Sequence, residues 1–364
     1  MVMFDASKEW TILIPEDAVH AKKAAADLSR YIGLLMGVNS SRPLKPPVMM
    51  DAAGPAPAGP VIALNSDGLR AEQNGFSWRA KPEQVEIHGE SDRGLCNGIY
   101  SFLSALGISW PGPGQETLPV PRSVNTGGSV PEGALLFPLV PDKVNEPSCY
   151  KGGNSSAVSW QRFVPSGDKT ISRILKKSEA FAAWAARQQY DALIFPLRAF
   201  ASGSTGRKIG LLKKYAGEYG IAVEAGGRDL SALVPRKYFF LHRDFFRMEE
   251  GRRKKVHQFC PTNPGTIRLI ESEGGSLFRS AKDVQVFHLW PDKGFETTWC
   301  SCPTCRAFTP SEQNRIGVNA AADVLAALNP AAVIGYFEKT GEEGNITMRK
   351  NTFRMEELPI EKEL

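Results

Sequence analysis

The chain has 364 residues, 42% hydrophobic and 23% charged, with a formal net charge of +5, the profile of a globular protein long enough for two domains. Its densest basic cluster, Gly251 to Lys255 (GRRKK), lacks the interleaved aromatics of a nucleic-acid groove, so no nucleic-acid partner is expected. No apolar run reaches the length of a membrane span, and the start MVMFDASKEWTILIP has no basic segment leading an apolar core, so the chain reads as cytoplasmic, with neither membrane segment nor secretory signal.

Trp10 to Ile14 (WTILI) reads as a first strand. Asp17 then opens an amphipathic helix, with Ala18, Ala25, Leu28, Ile32 and Leu35 near helical spacing and Gly37 as its stop. Arg42 to Pro60, rich in Pro, Ala and Gly, reads as a loop, and Val61 to Leu64 as a second strand. Phe76 to Ala80 and Gln84 to His88 alternate across a turn, which predicts a hairpin. A helix follows with Leu95, Ile99, Phe102, Leu103 and Leu106 on one face. Strand, helix, strand, hairpin, helix is the order of a small α+β layer domain.

Three stretches here carry a resemblance: YIGLLMG (Tyr31 to Gly37), VEIHGESDRGLCNGIYSFLSALG (Val85 to Gly107) and WPGPGQETLP (Trp110 to Pro119). The segment resembles the non-catalytic N-terminal domain (domain 2) of β-hexosaminidases and α-glucuronidases, which implies that a catalytic (β/α) barrel follows. The repeated glycines of the second stretch also have a plain packing reading, a helix lying close on a sheet.

Thr117 to Pro141, rich in Pro, Gly, Ser and Val, reads as a linker. Beyond it strands and helices alternate, as a parallel sheet requires. Pro147 to Lys151 is a candidate first strand. A helix at Ser178 to Tyr190 then leads into the strand Asp191 to Leu197, and one at Arg207 to Gly220 into Ile221 to Gly227. After a long loop, the helix from Pro264 to Glu273 precedes the strand Val284 to Leu289, and the helix Gln313 to Pro330 precedes Ala332 to Phe337. The residues after Phe337 read as too few and too polar for the three further βα units that a closed barrel needs. The expected fold class is therefore α/β, with an α+β domain at 1–121, a linker at 122–143, and at 144–364 a partial TIM-type barrel of about five strands. Five parallel strands leave an apolar edge beside Ala332 to Phe337, so self-association, or a partner chain completing the barrel, is expected.

The focal segment is Asp283 to Arg306, a buried strand running into Trp290, Asp292, Lys293, Gly294 and Glu296 and then into Cys300, Cys302 and Cys305. Carboxylates just past barrel strands are where that fold places its chemistry, and glycoside hydrolysis needs two of them. Asp292 and Glu338 are the candidate catalytic pair. Trp290, Trp299, Arg228 and Glu224 are candidate substrate-binding groups, because indoles stack on sugars and polar groups orient them. Trp160, in a polar loop, is a further aromatic candidate, whereas His288 reads as a hydrogen-bonded core histidine. Glu224 alternatively pairs with Arg228. Against these roles stands the plain reading of acidic strand ends as helix caps or lysine partners. Cys300, Cys302 and Cys305, with Cys260, suit either a tetrahedral zinc site or, in an oxidising compartment, disulfides. Cys96 and Cys149 read as ordinary buried thiols.

EAGGRDLSALVP (Glu224 to Pro235), QFCPTNP (Gln258 to Pro264), WPDKG (Trp290 to Gly294) and CSCPTC (Cys300 to Cys305) together resemble an uncharacterised bacterial glycosidase-like family with the same N-terminal domain. The resemblance covers nearly the whole chain and includes all four cysteine positions. It departs in two places: Asp292-Lys293-Gly294 stands where that family has Asn-Asp-Gly, and Arg228 where it often has His. The Asp-Glu pair by which β-hexosaminidases act on N-acetyl sugars is absent. The resemblance implies a glycoside hydrolase-like protein acting on O-glycosidic bonds of a carbohydrate ligand and requiring no cofactor for catalysis. The alternative is a non-catalytic carbohydrate-binding or structural module.

Overall fold

The computed structural model describes residues 2–5, 8–37, 46–55, 57–66, 74–81, 83–119, 134–137, 143–145, 161–295, 297–338, 345–355 and 357–364. The first half comprises β1 (Val2–Asp5), β2 (Thr11–Ile14), α1 (Ala21–Gly37), β3 (Val48–Asp51), β4 (Val61–Ser66), β5 (Phe76–Lys81), β6 (Gln84–Gly89), α2 (Asp92–Ala105), β7 (Ala134–Phe137) and β8 (Lys143–Asn145). Six of these strands form one sheet in the order β3-β2-β4-β6-β5-β8, while β1 pairs antiparallel with β7. Alternation decides which face is covered: Ile12, Ile14, Ile62, Leu64, Val85 and Ile87 are buried beneath α1 and α2, whose Leu28, Ile32, Leu95, Ile99 and Phe102 meet them. The Gly94-x-x-x-Gly98 spacing is a packing device. A Cβ on Gly94 would lie 2.5 Å from the Gly75 carbonyl, and one on Gly98 would lie 2.9 Å from the Ile87 side chain. The N-terminus of α1 is held across the layer, since the His20 and Ala21 amides donate to Asp92 at 2.6 and 2.9 Å.

The second half runs β9 (Arg162–Pro165), α3 (Gly167–Lys176), α4 (Ser178–Arg187), β10 (Ala192–Phe195), α5 (Leu197–Ala201), α6 (Gly203–Gly217), β11 (Ala222–Gly227), a small hairpin β12 (Met248–Glu249) and β13 (Arg252–Arg253), α7 (Pro264–Ser280), β14 (Val286–Leu289), α8 (Pro310–Leu328), β15 (Val333–Phe337), β16 (Thr352–Met355) and β17 (Glu361–Lys362). Seven strands build one sheet, β17-β9-β10-β11-β14-β15-β16, and every neighbouring pair is parallel. Six follow chain order, and the seventh, β17, returns to the far side of the first. Phe163, Leu193, Phe195, Val223, Phe287, Leu289 and Ile334 face the helices. On the opposite face Val164, Ile194, Trp290 and Met355 form their own cluster, with Phe337, Phe353 and Leu358 packed against it. Side chains from β9, β10, β15 and β16 thus meet on one inner side.

Among the described residues this sheet has seven strands where about five were expected. The tail, read as unable to supply three more βα units, supplies two short strands, β16, which pairs with β15, and β17, which pairs with β9. Strands of four and two residues are too short to show a period, and at a sheet edge they tolerate polar side chains. The β15 edge that motivated the expectation of self-association is therefore covered. Two further readings change: Val48–Asp51 is a strand within the supposed loop, and Ala134–Phe137 and Lys143–Asn145 are strands in and just beyond the supposed linker. The candidate strand at Pro147 to Lys151 lies outside the described residues, as do Cys149, Trp160 and Glu296. Among the described residues no helix is long and apolar enough to cross a membrane.

One buried cluster runs through both halves, from the β2–β6 sheet and α1–α2 to α4, α6 and the first strands of the seven-stranded sheet. At this seam Arg93 is 6% exposed and donates to Asp191, to the Tyr219 carbonyl and to the Tyr190 carbonyl at 3.3, 3.2 and 2.8 Å.

Candidate active site

β11 and β14 lie side by side, with Gly226 opposite His288 and Gly227 opposite Leu289, and both chains run out into loops at the same end of the sheet. The loops are laced together: Trp290 N donates to Gly227 O at 2.7 Å, and Arg228 Nη1 donates to Pro291 O at 3.0 Å. This brings the ends of the two strands, Arg228-Asp229 and Trp290-Pro291-Asp292, into one place.

Asp292 remains open to solvent, its side chain 24% exposed. Its Oδ1 accepts from Ser231 Oγ at 3.0 Å, and its Oδ2 lies 3.9 Å from both Arg236 Nη2 and His257 Nδ1. Arg236 and His257 come from the long loop after β11, so that loop closes over the strand-end carboxylate. Asp229 is buried, and its Oδ2 accepts the Leu197 amide at 2.7 Å. Burial raises the Asp229 pKa and the nearby Asp292 charge pushes it further; the Leu197 N–H and Arg198 only partly offset this. Two carboxyl groups of opposite environment therefore occupy neighbouring strand ends. The sequence reading missed Asp229, Ser231, Arg236 and His257. The signal for Asp229 was its position two residues beyond the end of β11, as Asp292 stands three residues beyond the end of β14.

The other candidates sit elsewhere. Glu224 is 1% exposed on the inner face of β11, accepting from Arg162 Nε at 2.9 Å and paired with His288 Nε2 at 2.6 Å. Burial opposes its ionisation, but Arg162 and His288 outweigh burial and bring its pKa down to about 2. Its partner is thus Arg162 and not Arg228, which instead reaches Glu361 of β17 at 3.4 Å. His288 is fully buried, and burial lowers its pKa against the pull of Glu224. Glu338, the second catalytic candidate, is 0% exposed, and Arg315 Nε and Nη2 take both its oxygens at 2.8 Å. Trp290 and Trp299, the candidate sugar-stacking indoles, are both buried, at 2% and 6% exposed. Trp290 lies in the inner cluster beside His288, and Trp299 packs edge-on between Phe259 and Phe295. Phe240, on the loop that carries Arg236, is 73% exposed.

Just beyond Asp292, the Sγ atoms of Cys260, Cys300, Cys302 and Cys305 all lie within 4.8 Å of one another and all four residues are buried. These cysteines and Cys96 are free thiols. The donor set suits a structural metal.

No family model matches the sequence, and no curated protein matches it. Among solved structures, the chain is similar to a GH20 exo-β-N-acetylglucosaminidase from Vibrio harveyi, 11% identical with a TM-score of 0.49, over 96% of this chain and 54% of that one. A β-N-acetylhexosaminidase from Bacteroides fragilis gives 13% and 0.47, over 95% and 65%, and a chitobiase from Flavobacterium johnsoniae gives 14% and 0.45, over 92% and 50%. The chain thus spans between half and two-thirds of the length of these structures.

Proposed function

We propose that this chain is a glycoside hydrolase-like protein on a (β/α)-barrel-type scaffold, acting on O-glycosidic bonds, with Asp292 and Asp229 as its working carboxyl groups. The observation that carries this reading is the pairing at the ends of adjacent parallel strands of one solvent-open carboxylate and one buried carboxyl with a raised pKa. Glycoside hydrolysis needs one carboxyl that gives a proton and one that acts as nucleophile or base, and a carboxyl whose burial raises its pKa suits the first task. In this assignment Asp229 is the proton donor to the leaving oxygen. Asp292, held by Ser231 and flanked by Arg236 and His257, is the nucleophile or base. Phe240 is the accessible ring for stacking on a sugar. The sequence resemblance to a glycosidase-like family points the same way, and neither carboxyl requires a cofactor.

The sequestration of Glu224 and Glu338 by arginines favours a second reading, a carbohydrate-binding module without turnover. A panel of chromogenic α- and β-glycosides, run alongside calorimetric titration of the corresponding free sugars, separates the two. Hydrolysis that Asp292→Asn abolishes, with the fold kept, supports the enzyme. Sugar binding without turnover supports the module. Hydrolysis unchanged in Asp292→Asn removes that residue from the mechanism.

A further inference from the structure

We propose that Cys260, Cys300, Cys302 and Cys305 bind one zinc ion in a closed four-thiolate site that staples the loop after β11 to the loop after β14. The geometry already has the dimensions of such a site. Bonds of about 2.3 Å to a tetrahedral zinc set sulfur–sulfur edges of about 3.8 Å. Cys260 Sγ lies 3.8 Å from Cys302 Sγ and 3.6 Å from Cys305 Sγ. These separations far exceed the roughly 2.05 Å of a disulfide bond. Four cysteines fill a tetrahedral shell completely and leave no position for substrate, so the role is structural.

Polar groups from the neighbouring loops reach the sulfurs. Met248 N donates to Cys300 Sγ at 3.2 Å, Arg253 Nη1 reaches the same sulfur at 3.7 Å, and Thr262 Oγ1 lies 3.1 Å from Cys305 Sγ. Gln313 of α8 bonds the Cys300 amide and the carbonyls of Cys300, Cys305 and Phe308, fixing the cysteine loop to that helix. Four thiolates around a divalent ion leave two negative charges, and the GRRKK cluster lies on the β12–β13 hairpin beside them. Arg253 of that cluster makes the direct contact and compensates part of that charge. The loops tied by the metal also carry His257 and Asp292, but the proposal stands whether or not those residues catalyse.

The test is elemental analysis of reduced, folded protein expressed with zinc in the medium and purified without chelator. About one zinc per chain is expected, falling below about a tenth of an equivalent in Cys302→Ser and Cys305→Ser and unchanged in Cys96→Ser, whose thiol lies in α2 away from the cluster. Titration of the wild-type protein with a mercurial, with released zinc followed by an indicator dye, covers the case in which the serine variants do not fold. Release of the zinc as four thiols are modified supports the site. Folded wild-type protein carrying less than about a tenth of an equivalent of metal, or zinc lost equally in Cys96→Ser, overturns it.

Discussion

At the scale of single residues, three acidic side chains that look alike in sequence are separated by their partners. Glu338 is enclosed with Arg315, Glu224 with Arg162 and His288, and Asp292 is left open. Removing one member of a buried pair strands the other charge, which costs about 3–5 kcal/mol. Arg315→Ala is therefore expected to destabilise the fold by that amount in urea unfolding, whereas Asp292→Asn should stay within about 0.5 kcal/mol. Glu224 also sets a pH dependence. Its folded pKa of about 2 lies below the ordinary 4.5, so its contribution is fully present above about pH 4.5 and is lost as pH falls towards 2. His288 acts in the same direction, because burial lowers its pKa and acid therefore favours the unfolded chain, which binds that proton more readily. Unfolding free energies at pH 7, 5 and 3 should decline accordingly, by about 2 kcal/mol between pH 7 and 3 for Glu224 alone, and Glu224→Gln should flatten the lower part of that decline.

At the scale of elements, helix starts followed their local chemistry. The α8 start has a complete capping box, Thr309 accepting from the Glu312 amide and Glu312 from the Thr309 amide, with Pro310 in the first turn. Thr309→Ala is expected to cost about 1 kcal/mol, read as a shift in the thermal midpoint. Glycines divide by environment. Gly226 of β11 has φ +120°, and a Cβ there would lie 2.0 Å from the His288 carbonyl oxygen, so it holds β11 close to β14 at the site. Gly210, inside α6, has open space where its Cβ would go. Gly210→Ala should therefore stabilise the protein by about 0.5–1 kcal/mol in the same assay, while Gly226→Ala should disrupt the β11–β14 pairing.

At the scale of the whole molecule, the two halves share one buried cluster, and Arg93 crosses the seam into Asp191 and two backbone carbonyls. A seam this apolar couples the halves, so calorimetry should show one transition with matching calorimetric and van't Hoff enthalpies. Arg93→Ala leaves Asp191, 5% exposed, beside a missing cation; a loss of about 3–5 kcal/mol is expected, with the transition broadening or splitting if the seam is what unites the halves.

The sequence by itself determined the α/β class, the hairpin of β5 and β6, the apolar faces of α1 and α2, the four-cysteine set, and the core placement of His288. These depend on periodicity and spacing, which are properties of neighbours along the chain. It could not give β16 or β17, since strands of four and two residues carry no period and exist only because β15 and β9 offer edges to pair with. Nor could it rank the carboxylates. Whether Glu338 meets Arg315, Glu224 meets Arg162, or Asp229 lies buried near Asp292 depends on groups 23 to 63 positions apart in the chain. Burial and charge pairing over those separations are created by the fold, and they decide which acid is enclosed with a cation and which keeps contact with solvent.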